Sequence, residues 1–186
     1  MRPDWPLQTE RLLLRPYEER DFDALYAMQS DAEVARWLYN EPRDLAEVRD
    51  LLGRKISGSE WREEDDWLSG AVVLREGGDV VGDLSLHWVS KEHRTGEIGF
   101  MFDPPRQGHG YATEAAHAFL RLAFEDFALH RVIGRAELRN IASTRVLEKL
   151  GMRREAHLVE NEWVKGEWQS EVVYALLDRE WPVASA

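Results

Sequence analysis

The 186-residue chain contains no cysteine, which excludes disulfides, thiolate metal sites and a cysteine nucleophile. It also has no uninterrupted apolar run near the roughly 20 residues of a membrane span. Its first residues, MRPDWPLQTERLLLRP, hold neither an apolar stretch of signal-peptide length nor a small-residue cleavage site. A cytoplasmic protein without membrane association is the expectation. Basic residues are scarce beside acidic ones, 24 against 35, and the net charge of −11 argues against general nucleic-acid binding. No Gly-Lys-Ser/Thr occurs, so there is no Walker phosphate loop. The six histidines show no HxxxH or His/carboxylate spacing, and no metal is expected. No Pro/Gly/Ser-rich linker or internal repeat divides the chain, which predicts one domain.

The residues that are present specify a packed α/β core. Hydrophobic residues make up 44% of the chain and eight are Trp, too apolar a composition for a disordered segment. Arg11–Arg15 reads as a strand closed by Pro16. Three helical stretches follow, at about 18–28, after the capping candidate Asp31, and at 44–56, ended by Ser57-Gly58-Ser59. Residues 67–75 and 79–89 are β-rich and joined by a Glu76-Gly77-Gly78-Asp79 turn. A third run, 96–103, ends at Pro104-Pro105. Between about 110 and 127, Ala112, Ala115, Ala116, Phe119 and Ala123 recur at helical spacing. A strand at 131–138, a helix at 140–150 ended by Gly151, and β-rich runs at 152–160 and 169–177 complete the pattern.

The segment Pro104-Pro105-Arg106-Gln107-Gly108-His109-Gly110-Tyr111-Ala112 joins a strand to a helix. Two glycines let successive amides turn into one concavity beside a helix N-terminus, an arrangement suited to phosphate. Taken alone, such a turn is as often only a turn. It lacks the third small residue of a dinucleotide fingerprint, and no parallel βαβ series precedes it.

Gln107-x-x-Gly110-x-Ala112 resembles the acyl-CoA pyrophosphate loop, Q/R-x-x-G-x-G/A, of the GNAT N-acetyltransferases. Gly108 to Ala115 is similar to the RimJ/RimL-type branch, as are Thr9–Arg15, Gly96–Phe100, Asn140-x-x-Ser143, Leu147–Met152 and Gly166-Glu167-Trp168. The resemblance covers residues 7–181 in order, leaving 1–6 and 182–186 as terminal tails. It implies a single-domain GNAT-like α/β fold. A mixed, mainly antiparallel sheet of about seven strands would be flanked by helices, with splayed strands at the acyl-CoA cleft.

By the same resemblance, acetyl-CoA is the co-substrate. Backbone groups at Phe100, Met101 and Phe102 would hold its pantetheine arm, and an amide there could stabilise an oxyanion. Amides from Gln107 and Gly108 through His109, Gly110, Tyr111 and Ala112 to Thr113 would bind the pyrophosphate, with His109 given a backbone role only. Asn140 and Ser143 would face the pantetheine end and the sulfur. Ser143 is the candidate donor to the leaving thiolate. Glu162 is the candidate general base and Glu97 its competitor through water. Each has a plainer alternative: a helix polar residue or cap for Ser143, a solvated carboxylate for Glu162 in the run 160–167, and an ion pair for Glu97. Trp37, Trp61 and Trp67 are candidates for the acceptor pocket or for core. His87 is a packed or surface residue before it is a cleft residue.

Residues 131–154 carry a net charge of +5, leaving −16 elsewhere. That split suits the phosphates of CoA on one side and a cationic amine on the other, unless the basic residues form a solvated, ion-paired face. The resemblance implies transfer of an acetyl group directly to a primary amine, with a protein or peptide N-terminus ahead of a polyamine or aminoglycoside. A non-catalytic acyl-CoA-binding module and a partner-binding domain with an empty cleft are the alternatives. Relatives of this branch form homodimers, although no seam is readable in the sequence.

Overall fold

The computed structural model describes residues 1–182; the last four residues of the expected C-terminal tail lie outside the described residues. Eight strands form one open sheet: β1 (Leu7–Gln8), β2 (Leu12–Arg15), β3 (Trp67–Leu74), β4 (Val80–Ser90), β5 (Thr95–Phe102), β6 (Arg131–Glu137), β7 (Arg153–Val164) and β8 (Glu167–Leu177). Their order is β1-β2-β3-β4-β5-β6-β8-β7. Every neighbouring pair is antiparallel except β5 and β6. The eighth strand, beyond the seven expected, is β1, whose two residues are too few to show a period.

The helices are α1 (Phe22–Gln29), α2 (Ala32–Ala35), α3 (Leu45–Ser57), α4 (Tyr111–Arg121) and α5 (Ile141–Lys149). Three begin on the side-chain oxygens that the sequence supplies. Asp31 accepts from Glu33 N and Val34 N, and Asn140 accepts from Ser143 N. At α3, Asp44 and Glu47 close a reciprocal capping box, each hydrogen bond 2.9 Å. The apolar stripe of α4 runs on through a π-helical turn at Leu122–Asp126, which explains its length in the sequence pattern.

Alternation along the strands divides the core between two faces of the sheet. On one face Leu84, Leu86 and Ile98 pack with Ala115, Ala116 and Phe119 of α4. On the other, Ala71 and Val73 pack with Leu25 of α1 and Val48 and Leu52 of α3. Ahead of β1, Trp5 packs 6.1 Å from Phe119 and donates to Ser59 O at 3.0 Å.

β5 and β6 set the functional geometry. They pair only where Thr95–Glu97 meets Arg131–Ile133, and then diverge. From Ile98 to Phe102 one edge of β5 therefore has no ladder partner in β6. Backbone groups left open along such an edge are a template for an extended partner.

Candidate active site

A cleft of about 940 Å³ runs from the loop before α4, along the divergence of β5 and β6, to α2 and the β7–β8 hairpin. Its wall takes in Phe100, Met101, Phe102, Gln107, Gly108, Gly110, Tyr111, Ala112, Thr113, Asn140 and Ser143, together with both carboxylate candidates, Glu97 and Glu162. His109 is absent from that wall. Its Nδ1 meets its own loop at Gln107 O (2.9 Å), and its ring stacks on Tyr111 at 5.6 Å.

The loop is shaped for an anion. Gly108 and Gly110 lie at φ +79° and +84°, conformations an L side chain rarely adopts. Gly110 is the N-cap of α4 and brings no side-chain oxygen, so the first-turn amides of α4 lack the cap that α2, α3 and α5 possess. Uncapped amides at the positive end of an eleven-residue helix, opening into a cleft, fit a pyrophosphate. Gln107 serves this loop differently from the amides. Its Nε2 donates to Phe102 O at 2.9 Å and pins the loop to the end of β5. Phe102 in turn lies over Gly82, where a Cβ would stand 2.5 Å from the Phe102 ring.

Outside the loop, an interaction that the sequence pattern does not show holds it in place. Glu114 on α4 accepts from Thr9 Oγ1 (2.6 Å), Arg11 N (2.9 Å) and Arg11 Nε (2.7 Å). Arg11 then donates through Nη1 to His109 O at 3.0 Å and covers the Tyr111 ring at 4.7 Å. Burial raises the Glu114 carboxyl, but the hydrogen bonds from Thr9 and Arg11 outweigh it and hold the group below its usual range. The only sequence signal was the Thr9-Glu10-Arg11 stretch, which nothing ties to a loop a hundred residues away.

At the far end of the cleft Arg135, on β6, bridges Glu97 (3.3 Å) and Glu171 (3.3 Å). Burial raises the carboxyl of Glu97, opposed by Arg135 and His87. Burial also raises Glu171, opposed by Arg135 and reinforced by the charges of Glu162 and Glu97. Neither Arg135 nor Glu171 stood out in the sequence, because their meeting depends on the register of β6 with β8.

Glu162 lies within β7, paired with Gln169. The sequence reading ended this strand near residue 160. The structure carries it to Val164 past an irregular step between Leu158 and Glu162, with a tight turn at Lys165-Gly166. That bulge interrupts alternation and hides the strand from a period-two reading. Tyr39, in the loop after α2, donates to Glu162 Oε2 at 2.8 Å. Burial and that hydrogen bond raise the Tyr39 phenol, so it acts as a donor.

Asn140 and Ser143 sit at the start of α5, where Asn140 Oδ1 accepts from Ser143 N at 3.1 Å. Asn140 thus caps the helix that presents Ser143 to the cleft. The tryptophans separate: Trp37 and Trp67 line the cleft, while Trp61 is in the core, stacked on Trp88 at 5.3 Å. His87 stacks on Trp67 at 4.4 Å, outside the wall. The basic segment also separates. Arg131, Arg135, Arg139 and Arg153 are ion-paired, whereas Arg145 and Lys149 line the cleft without a carboxylate within 4 Å among the described residues. No group of three or more His, Asp or Glu that could hold a metal occurs among the described residues.

Residues 11–153 match the family model described as the acetyltransferase (GNAT) domain. The chain belongs to the GNAT acetyltransferase family. It is 33% identical to the uncharacterized N-acetyltransferase YnaD of Bacillus subtilis over 94% of this chain and 98% of that protein. Among solved structures, a GNAT-family acetyltransferase from Bacillus anthracis is 32% identical over 94% of this chain and 99% of that one, with a TM-score of 0.85. Spermidine N-acetyltransferase from Vibrio cholerae, in complex with CoA and spermine, shares the fold at a TM-score of 0.79 and 21% identity, over 92% of this chain and 98% of that one. The chain is accordingly an acetyl-CoA-dependent acyltransferase of the GNAT family.

Proposed function

We propose that this GNAT protein is a RimJ/RimL-like cytoplasmic enzyme of one catalytic domain over residues 7–181, acetylating the N-terminal amine of a peptide or protein. The observation that carries this reading is the continuity of the cleft. One space joins the uncapped start of α4, the open edge of β5, Ser143 and the carboxylates Glu97 and Glu162.

Acetyl-CoA, when bound, supplies an activated thioester. The amides from Gly108 to Thr113 face its pyrophosphate, and the open β5 edge pairs with its pantetheine arm. Glu162 takes the proton lost by the attacking amine. Its one side-chain hydrogen bond among the described residues comes from Tyr39, which fixes its orientation. Glu97 shares its charge with Arg135 and acts by attracting the amine. Ser143 hydrogen-bonds the departing sulfur.

A second reading, a polyamine acceptor, draws on the carboxylates of this cleft and on the spermine in the Vibrio cholerae neighbour. Kinetics of three variants test the assignment. Glu162→Gln lowers kcat by about 10²-fold, as removal of a proton-transfer group does, and Ser143→Ala by about tenfold, as loss of a charge-assisted hydrogen bond does. Glu97→Gln raises the acceptor KM more than it lowers kcat. Should Glu97→Gln instead abolish the acid limb of the kcat–pH profile, which falls as pH drops through its raised pKa, the base is Glu97. Unchanged turnover in both Ser143→Ala and Glu162→Gln would refute both roles.

A further inference from the structure

The acceptor end of the cleft contains a cation that nothing in the acetyl transfer uses. Arg43 precedes α3 and lines the cleft, half-buried. Its Nε donates to Gln29 Oε1 at 3.1 Å and its Nη2 to Asn40 Oδ1 at 3.2 Å. Its backbone N–H donates to Gln29 O at 2.9 Å. Gln29 is itself buried, and its Nε2 stands 3.8 Å from Met101 Sδ on β5.

All of these partners are neutral. Among the described residues, the three other arginines drawn back from full exposure all face carboxylates. Arg15 meets Asp21 at 2.7 Å, Arg106 meets Asp79 at 2.9 Å, and Arg131 meets Glu155. Among the described residues Arg43 has no carboxylate within 4 Å. A guanidinium withdrawn from water without a counter-charge carries a desolvation cost, and its planar fork of donors is shaped for a carboxylate or phosphate oxygen pair. Two of the five N–H donors are committed to Gln29 and Asn40, which hold the fork in place and leave Nη1 without a partner among the described residues.

The same wall carries the opposite charge. Tyr39, four residues earlier, holds Glu162, and Glu33 on α2 lines this end as well. A cleft that presents carboxylates to an amine and a held, unpaired guanidinium beside them matches an acceptor bearing both signs. A polyamine bears only one.

We propose that Arg43 receives a carboxylate of the acceptor, so that the preferred substrate is a peptide whose first few residues include Asp or Glu. The inference rests on the peptide-amine reading and narrows it. The carboxylate is a side chain near the peptide N-terminus, and the α-carboxylate of a free amino acid is the competing source that the test separates.

Steady-state kinetics with acetyl-CoA and tetrapeptide pairs differing only by Glu or Gln at the second or third position separate these cases. Free glutamate and spermidine complete the panel. The wild type shows an acceptor KM about tenfold lower for a Glu peptide than for its Gln twin, the size of one charge-assisted contact. In Arg43→Gln that ratio collapses towards one, while thermal stabilisation by acetyl-CoA persists and shows that the variant folds. Arg43→Lys recovers part of the ratio. Free glutamate used better than any peptide overturns the inference and the peptide reading together, because the preferred acceptor is then a free amino acid. Equal use of Glu and Gln peptides overturns the inference and leaves the peptide reading standing. Spermidine used better than every peptide overturns both. A rise in the acetyl-CoA KM of Arg43→Gln with no change in the Glu/Gln ratio assigns Arg43 to the cofactor and also overturns it.

Discussion

Arg11 and Glu114 show how a single side-chain pair governs a backbone site. The amides before α4 bind an anion only if they converge, and glycines at positive φ leave them free to do otherwise. Arg11 fixes the His109 carbonyl from outside while Glu114 anchors Arg11. We expect Arg11→Ala and Glu114→Gln each to raise the acetyl-CoA KM by about tenfold, the scale of a charge-assisted hydrogen bond, with kcat changed far less. Arg11→Lys restores only part, because it retains the charge and loses the fork. Since the folded pKa of Glu114 is lowered, its contribution is complete above the unfolded carboxyl value of about 4.3 and disappears as pH falls through the lower folded value. The clamp therefore holds at pH 5, which thermal shifts with acetyl-CoA at pH 7 and pH 5 check. At this scale the sequence was informative about residue type and uninformative about partners. Gln107 with Gly110, and Asn140 with Ser143, were legible as cleft residues because each pair lies within a short spaced motif. Arg11, Arg43, Arg135 and Glu171 acquire meaning only across long separations in the chain.

Between elements, a buried ion pair joins the helical layer to the sheet. Lys55 on α3 reaches Asp83 on β4 at 2.7 and 2.9 Å, and the Tyr17 hydroxyl donates to the same carboxylate at 2.9 Å. Burial, followed by the nearby charge of Asp83, drives the Tyr17 phenol well above its ordinary pKa, so it remains a donor. Removing one partner strands the other charge. Lys55→Met costs about 3–5 kcal/mol of stability, whereas Lys55→Met with Asp83→Leu loses much less. At about 2–4 °C per kcal/mol for a domain of this size, the single variant melts roughly 10 °C lower, and the double variant regains most of that in a thermal melt. A similar loss in both variants would show that the pair itself is worth more than apolar packing. The elements themselves were readable where periodicity was unbroken, as in α3, α4, β4 and β5. The β7–β8 hairpin was only half readable, since the bulge before Glu162 shifts the register that alternation depends on.

Across the whole molecule, the charge is arranged rather than merely negative. The basic segment places Arg145 and Lys149 on the cleft, while Arg131, Arg139 and Arg153 are spent in ion pairs on its outer side. Carboxylates gather at the opposite end, around Arg135 and Tyr39. The mixed α/β class was readable from the order of strands and helices, whereas the GNAT-like fold and acetyl-CoA came from the resemblance of several spaced motifs to that family. The place where the two ends meet did not, because it is created by the divergence of β5 from β6 after three paired residues.

Direct transfer from the thioester to an amine bound in that divergence is the central claim. The chain has no cysteine, so a thiol reagent added to the reaction detects only free CoA. With peptide present, the protein should release one CoA thiol for each acetylated peptide counted by mass spectrometry, and almost none without it. Thiol release that proceeds equally without an amine, or an acetylated protein accumulating ahead of product, would contradict it.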